Sequence, residues 1–490
     1  MGYLRLDLRG WKEAPSRNAG ECVCGALPHR LFKHPPQDGG SVVDSRLARS
    51  ILSALHVSKP HLADTAFWQS LDVREGKGPL TWLDLSGLAL YLREKFRAMD
   101  SLGTLPPALR AHLDRRDAEN RVRVAAISEE FQNLNRLLAG AGIEHAVLKG
   151  FALLPDYCPD LALRAQYDLD YLIRPASRDL AARVLQKAGY RWKNTRDRQA
   201  DVYYLPQPSL RIANGSAVFY SACLSRPVEL HHGLWDRAEE RIRINLPEDL
   251  LERALRRRWQ GLEFAVLSDE DGLLFQVLHV FRHILRNWCR LSSFLEIALF
   301  LERRFSDTAF WKRFNDRISK LRWLPEITGV VFNLASSLFG ARIPPQVEAQ
   351  TAPVLSSLLT RWVENYGKNL ALENFQCDKY SLFLHREFLE EPADWARIRR
   401  RRLFPFRLPS RLPGATYEDG ASSLKKAWRQ CLHASRRLKF HAASDLRFVR
   451  EYPRWLRTRS LLLTGAARRG AAPRSLTALP TTCSTPETGP

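Results

Sequence analysis

The chain contains 490 residues, 45% of them hydrophobic and 26% charged, proportions that allow a large core and exclude a wholly disordered protein. Its longest run without a charged residue, 327–341, has 15 residues, fewer than the roughly 20 that a membrane-spanning helix needs. Of the net charge of +22, residues 395–490 carry +16, with 21 Lys+Arg against five Asp+Glu, so the other 394 residues are only mildly basic. A uniformly basic, nucleic-acid-binding body is therefore excluded.

The N-terminal part of the chain is predicted to be a leader followed by helices. Residues 1–40 are rich in Gly and Pro and are expected to form an irregular segment. Asp7 and Glu13 stand where a secretion signal needs an apolar run, so we expect a cytoplasmic protein. Apolar residues then recur at helical spacing, which predicts a helical N-terminal subdomain over 41–138.

The spacing of the apolar residues then changes, and an α/β core is predicted over 139–240. Short apolar or alternating runs predict four strands, at 146–148, 167–173, 202–205 and 228–232. A helix is predicted between the second and third strands, at 179–188, and Gly189 is expected to end it.

The second half of the chain is predicted to be helical before it becomes a basic tail. Helical periodicity resumes at Pro247, which predicts a helical C-terminal subdomain over 241–390. The arginine run 399–402 and the prolines that follow it predict a linker, and the tail over 391–490 is expected to be partly disordered. One or two basic helices are predicted within this tail, over 421–439 and 445–463.

The segment YDLDYLI, residues 167–173, carries the pattern most indicative of chemistry. On a strand, Asp168 and Asp170 point to the same face and lie about 6.6 Å apart along it. Two such carboxylates can converge on one Mg²⁺ or bracket two, whereas without a cation their charges repel. The alternative is an edge strand whose acidic side chains face water.

Residues upstream of this pair suggest a phosphate site. Lys149 and Gly150 follow a short buried strand, and a glycine before a helical stretch lets backbone N–H groups approach an anion. Arg164 is a candidate phosphate clamp, with an ordinary surface arginine as the alternative. The Lys149 side chain would either reach a phosphate or end its strand in solvent.

Downstream residues could add to the same site. Alternation along 228–232 puts Glu229 and His231 on one strand face, so Glu229 is a candidate third carboxylate. His279 and His283 have the i, i+4 spacing of transition-metal ligands on a helix, but their apolar neighbours indicate packing in the core. Contact with a substrate is the alternative for these two histidines.

Together these motifs resemble a known family. In chain order they are HAVLKG (145–150), RAQYDLDYLI (164–173), KAGYRW (187–192), VELHHGLW (228–235) and QVLHVFRHIL (276–285). Their order and spacing resemble the bacterial uncharacterised nucleotidyltransferase family, part of the polymerase-β-like nucleotidyltransferase superfamily. The resemblance covers roughly residues 60–300 and excludes the leader and the tail.

The resemblance implies an α+β fold, in which a small mixed sheet with helices is flanked by helical N- and C-terminal regions. It implies an enzyme that uses Mg²⁺, or Mn²⁺, to move a nucleoside monophosphate from an NTP to an acceptor, with release of pyrophosphate. The implied catalytic and metal-binding residues are Asp168, Asp170 and Glu229. The implied NTP-binding residues are Lys149, Gly150 and Arg164.

Several alternatives stay open at the level of sequence. The acceptor would be a small molecule, a saccharide, a protein or a tRNA. A protein with the same fold but without turnover, binding nucleic acid or acting as a scaffold through its basic tail, is the main alternative. A toxin-like enzyme that modifies tRNA is a further one. The tail itself would be solvated, contact RNA, or contact an anionic membrane surface.

Overall fold

The computed structural model describes residues 45–62, 65–70, 78–196, 199–206, 215–222, 226–372, 378–404 and 423–468. The predicted irregular leader lies outside these residues, and so does the C-terminal end of the predicted tail. The prolines that predicted a linker after the arginine run also lie outside them.

The described residues form helices before, within and after a single sheet. The N-terminal helices are α1 Ser45–Ala54, α2 Thr65–Gln69, α3 Pro79–Ser86, α4 Ala89–Ala98 and α5 Pro107–Gly140. Those within the sheet region are α6 Arg178–Lys187 and α7 Arg237–Glu240. The C-terminal helices are α8 Asp269–Leu285, α9 Leu291–Arg303, α10 Thr308–Ser319, α11 Leu324–Phe339, α12 Pro345–Thr351, α13 Ser357–Trp362, α14 Lys368–Leu372, α15 Ser381–Glu387, α16 Pro392–Leu403 and α17 Ser423–Arg468. No helix among the described residues combines the length and the apolar character needed to cross a membrane.

The sheet has seven strands in the order β3-β4-β5-β2-β1-β7-β6. They are β1 His145–Val147, β2 Leu169–Ile173, β3 Arg191–Arg196, β4 Ala200–Tyr204, β5 Pro227–His231, β6 Leu255–Trp259 and β7 Leu262–Val266. The β2–β5 and β1–β7 pairs are parallel, and the other neighbouring strands are antiparallel. The predicted α+β class, a mixed sheet flanked by helical regions, is confirmed.

The prediction that helices resume at Pro247 is wrong, because the next helix, α8, begins only at Asp269, and residues 255–266 form two strands. These residues form the β6–β7 hairpin, whose turn residues Gln260 and Gly261 both have positive φ, as two-residue hairpin turns favour. The sequence LRRRW of β6 lacks the apolar alternation of a half-buried strand because β6 is a mostly exposed edge strand. The same sheet therefore continues beyond the predicted core boundary at residue 240, and the domain boundaries remain a prediction.

Helices cover both faces of the sheet. On one face α5 and α6 pack their apolar residues, such as Phe131 and Leu185, against Tyr171 of β2. On the other face Leu172 lies in a cluster with Phe275 of α8. The C-terminal helices, together with α1 to α4, form a larger helical core beside the sheet.

Of the one or two basic helices predicted in the tail, one is present, because residues 423–468 form a single helix, α17, of 46 residues. Pro453 lies inside this helix and is exposed, while Phe448 and Trp455 on either side of it are buried in the helical core. Packing on both sides thus holds the helix together where the proline would favour a break. The arginine run 399–402, predicted as linker, belongs to α16.

Candidate active site

The parallel pairing of β2 with β5 aligns two acidic residues. Asp170 is the register partner of Glu229, and His231, two residues further along β5, shares the same face. One carboxylate oxygen from each acid and a ring nitrogen of His231 lie within 4.8 Å of one another. All three side chains are buried, and the His231 Nε2 is 3.0 Å from Asp170 Oδ1 and 3.6 Å from Glu229 Oε2.

Asp168 lies at the outer edge of this cluster. Strand β2 begins at Leu169, so Asp168 immediately precedes the strand instead of lying within it, as the sequence had predicted. Its side chain is 19% exposed, whereas those of Asp170 and Glu229 are 0% and 1% exposed. Of the three carboxylates, Asp168 is therefore the most accessible to solvent.

Lys149 neutralises part of the acidic charge. Its Nζ lies 2.9 Å from Asp170 Oδ1 and 3.8 Å from Asp168 Oδ2. Burial by itself would lower the pKa of Lys149, but the charges of Asp168, Asp170 and Glu229 raise that pKa above its ordinary value. The repulsion between carboxylates that the sequence predicted is thus offset by an ammonium group of the chain itself.

The two carboxylate oxygens of Asp170 differ in their contacts with the described residues. Its Oδ1 is within hydrogen-bond distance of both Lys149 Nζ and His231 Nε2. Its Oδ2 is buried, and no hydrogen-bond donor contacts it in the part of the chain that the structure describes. A buried carboxylate oxygen without a partner is unfavourable, so this atom is suited to accept a further donor or a cation.

Gly150 allows a close contact that positions Asp168. Its φ is +60°, and a Cβ at this position would lie 2.4 Å from the Gln166 Nε2. That Nε2 donates to the Asp168 carbonyl oxygen at 2.9 Å. The helical stretch predicted after Gly150 is a 3-10 helix of four residues, Gly150–Leu153.

Two arginines hold the segment that leads to β2. The Arg164 Nε donates to Glu296 Oε1 of α9 at 2.9 Å, and although burial lowers the pKa of Arg164, Glu296 and other charges raise it. The Arg123 guanidinium, on α5, donates through Nε and Nη2 to the Gln166 carbonyl oxygen at 3.0 and 2.7 Å. Burial lowers the pKa of Arg123 to about 10.

The two histidines of α8 contact each other. The Nε2 atoms of His279 and His283 are 3.1 Å apart, and the His283 Nδ1 is 3.1 Å from the Trp288 carbonyl oxygen. Burial, with the charge of nearby Lys149, lowers the pKa of His279 well below its ordinary value. Among the described residues these histidines belong to no cluster of three or more metal ligands.

The donor set of the cluster fits a divalent cation. Three carboxylates and one ammonium leave a formal charge of −2, and carboxylate oxygens are the ligands that Mg²⁺ and Mn²⁺ prefer. The partnerless Asp170 Oδ2 supplies a ligand atom that no other described group uses. Asp168, Asp170, Glu229 and His231 are thus the residues that would surround such an ion.

The sequence did not indicate all of these residues. Alternation along residues 228–232 predicted that His231 lies on the same strand face as Glu229, but it did not indicate a function for the histidine. Gln166 and Arg123 carried no signal, because one lies in an irregular segment and the other is one of many arginines. The contact of Lys149 with the carboxylates follows from β1 lying antiparallel beside β2, where the Leu148 N–H donates to the Asp170 carbonyl oxygen.

The chain has matches among solved structures and protein families. One solved structure among the matches is an antigenic nucleotidyltransferase-like protein from Paracoccidioides brasiliensis, 15% identical, with a TM-score of 0.23, over 48% of this chain and 96% of that chain. No curated protein matches the chain. The profile of the family described as "uncharacterised nucleotidyltransferase" matches residues 79–340, which is more than half of the chain and includes the whole acidic cluster. The chain therefore belongs to this nucleotidyltransferase family.

Proposed function

We propose that the protein is an enzyme that transfers a nucleoside monophosphate from an NTP to an acceptor and releases pyrophosphate. The observation that carries the proposal is the buried pairing of Asp170 with Glu229, with Asp168 beside them, in a chain of the nucleotidyltransferase family. In this reaction the acceptor oxygen forms a bond to the α-phosphorus, and the bond from that phosphorus to the pyrophosphate oxygen breaks.

Asp168, Asp170 and Glu229 would hold Mg²⁺ or Mn²⁺. The ion would supply positive charge against the phosphate oxygens as negative charge develops on them. Asp170 and Glu229 are fixed by β2 and β5, whereas Asp168 is the most exposed of the three carboxylates. Gln166 holds the backbone of Asp168 and so positions its carboxylate.

The proposed NTP-binding residues are Lys149, Gly150 and Arg164. The Lys149 ammonium lies within reach of the carboxylates and would shift toward a phosphate once a divalent ion neutralises them. Arg164 would contribute through guanidinium nitrogens other than the Nε, which contacts Glu296. The acceptor is proposed only as a class: a small molecule, a saccharide, a protein or a tRNA that offers a nucleophilic oxygen.

The experiment that tests the proposal measures pyrophosphate release from each of the four NTPs with Mg²⁺ or Mn²⁺ across a panel of these acceptors. Asp168→Asn and Asp170→Asn should each abolish release, and Glu229→Gln should reduce it less, because the two aspartates remain. Asp179→Asn, which changes an exposed carboxylate on α6, is the matched control and should behave like the wild type. Turnover retained in either aspartate variant would overturn the assignment of the metal site.

A second candidate function is a binding protein without turnover. The observation in its favour is that Lys149 already neutralises part of the carboxylate charge. Titration of the EDTA-treated protein with Mn²⁺, followed by electron paramagnetic resonance of the free ion, separates the two. Saturable Mn²⁺ binding that is lost in Asp170→Asn would favour the enzyme. Tight RNA binding by a protein that binds neither metal nor NTP would favour the binding protein without turnover.

A further inference from the structure

The helix α17 is held to the body of the protein along one face. Phe448 and Trp455 are buried, and the Phe383 ring of α15 lies 5.2 and 5.4 Å from them, measured between ring centroids. Two ion pairs fix the same face, Lys379 with Asp445 and Arg459 with Glu387. The rotation of the helix about its own axis is therefore determined, and with it the residues that point to solvent.

Large apolar side chains form a stripe on the part of α17 that faces solvent. Leu432 and Leu461 are also exposed but lie outside this stripe, which consists of Leu424, Trp428, Leu438, Leu446, Val449, Leu456 and Leu463, between 36% and 84% exposed. At 3.6 residues per turn these positions fall within a sector of about 100°, because most of them are separated by three, four or seven residues. Scattered exposed leucines are common on proteins, but a continuous stripe of this length indicates an interaction surface.

A basic stripe lies beside the apolar one. It consists of Arg436, Lys439, Arg447, Arg450, Arg454 and Arg457, all exposed. Along its whole length the helix has twelve Lys+Arg and two Asp+Glu. The helix surface thus has three sectors, one packed on the body, one apolar and one basic, and the last two together face solvent.

The chemistry of these two sectors selects one kind of partner. Single-stranded RNA would use aromatic side chains for stacking, yet the exposed stripe is mainly aliphatic, with Trp428 as its aromatic member. A second copy of this helix would bring two strongly basic surfaces together, and like charges repel. An anionic lipid surface offers both an apolar layer for the leucines and negative headgroups for the arginines.

We propose that the exposed face of α17 binds in the plane of an anionic lipid bilayer, with the body of the protein on the side away from the lipid. The apolar stripe enters the boundary between headgroups and acyl chains. The basic stripe contacts the headgroups, and each basic residue strengthens binding by about fivefold at low salt. This surface is independent of the reaction proposed for the acidic cluster.

The experiment is sedimentation of the full-length protein with vesicles of phosphatidylcholine alone and of phosphatidylcholine with about a third phosphatidylglycerol. Binding should occur only to the anionic vesicles and should weaken as salt rises, because salt screens the headgroup charge. Absence of binding to anionic vesicles at low salt would overturn the proposal.

Two variants assign the binding to the two stripes. The leucine variant combines Leu438→Ser, Leu446→Ser and Val449→Ser, and it should reduce vesicle binding at least tenfold. The arginine variant combines Arg436→Gln, Lys439→Gln, Arg450→Gln and Arg457→Gln, and it should reduce vesicle binding by more than the leucine variant does. The matched control changes four exposed body arginines, Arg183, Arg191, Arg256 and Arg258, to Gln, and it should retain most of the binding. Circular dichroism checks that each variant keeps the helical content of the wild type.

Other outcomes would contradict the proposal. Equal loss in the control variant would mean that net charge alone drives binding. Unchanged binding in the leucine variant, or tighter binding to single-stranded RNA than to the vesicles, would indicate a polyanion-binding surface. A concentration-dependent dimer that the leucine variant abolishes, without vesicle binding, would mean that a second copy covers the stripe.

Discussion

At the scale of single residues, Lys149 is the side chain on which the acidic cluster depends. It is 7% exposed and lies among carboxylates that would otherwise repel one another. Removing one member of a buried ion pair usually costs more folding free energy than the intact pair contributes, because the remaining charges stay buried without compensation. The cluster is thus stable without a divalent ion and retains enough negative charge to bind one.

Lys149→Met should lower the free energy of unfolding by about 3–5 kcal/mol in EDTA, the range for breaking a buried ion pair. Addition of Mg²⁺ or Mn²⁺ should restore more stability to the variant than it adds to the wild type, because the variant has one more uncompensated negative charge. Urea unfolding with and without metal measures both effects. Lys187→Met, on the exposed side of α6, is the control, and equal effects of the two changes would contradict the prediction.

Gly150→Ala should destabilise the protein through both its backbone and its contact with Gln166. The φ of +60° costs a side chain about 1–2 kcal/mol, and displacing the buried Gln166 adds roughly 1–3 kcal/mol. Gly142→Ala is a matched control, since Gly142 has a φ of +68° and the added Cβ would have no atom of the described residues within 4 Å. Urea unfolding should therefore show a larger loss for Gly150→Ala, and equal losses would mean that the Gln166 contact is unimportant.

At the scale of elements, α17 depends on a few aromatic side chains. Trp455 is 1% exposed and contacts Tyr366 as well as Phe383, with ring centroids 5.8 and 5.4 Å apart. Most of the stability of a helix in a protein comes from the packing of one face, so these contacts hold α17 on the body.

Trp455→Ala should lower the free energy of unfolding by about 3–5 kcal/mol, the usual cost of truncating a buried aromatic residue. Backbone amides near residues 444–462 should also exchange with deuterium faster than in the wild type. Leu446→Ala, on the exposed stripe, should change stability by less than about 0.5 kcal/mol. Similar exchange in the two variants would show that α17 is held by other contacts.

At the scale of the whole molecule, buried neutral histidines link stability to pH. His385 on α15 is buried, and its Nε2 lies 2.7 Å from the Glu240 carbonyl oxygen at the end of α7. Burial lowers the pKa of His385 to about 4. Because the folded pKa lies below the unfolded value, the contribution of His385 is complete above about pH 6.5 and is lost as the pH falls toward 4.

His385→Gln should reduce the loss of stability between pH 7 and pH 5 by about 2 kcal/mol, whatever its effect at pH 7. Unfolding free energies from urea titrations at several pH values measure this difference. His61→Gln, which changes an exposed histidine, is the control and should leave the pH dependence unaltered. An unchanged slope in His385→Gln would mean that other groups account for the acid sensitivity.

The sequence alone was sufficient for features that depend on local pattern. Alternating apolar residues located β2, β4 and β5 to within a few residues, and the motifs between residues 145 and 235 indicated the family. The same alternation put Glu229 and His231 on one strand face. These features follow from the two-residue period of a strand and the 3.6-residue period of a helix, which need no knowledge of neighbours.

Contacts between distant segments were decided only by the tertiary structure. Lys149 lies against Asp170 because β1 pairs antiparallel with β2, and Asp170 lies against Glu229 because β5 pairs parallel with β2 on its other side. The edge strand β6 was missed because a mostly exposed strand needs no apolar alternation. In α17, burial of Trp455 and Phe448 overrides the proline between them. Strand order and core packing bring together residues that are far apart in the chain. The spacing of apolar residues within one segment carries no information about either of them.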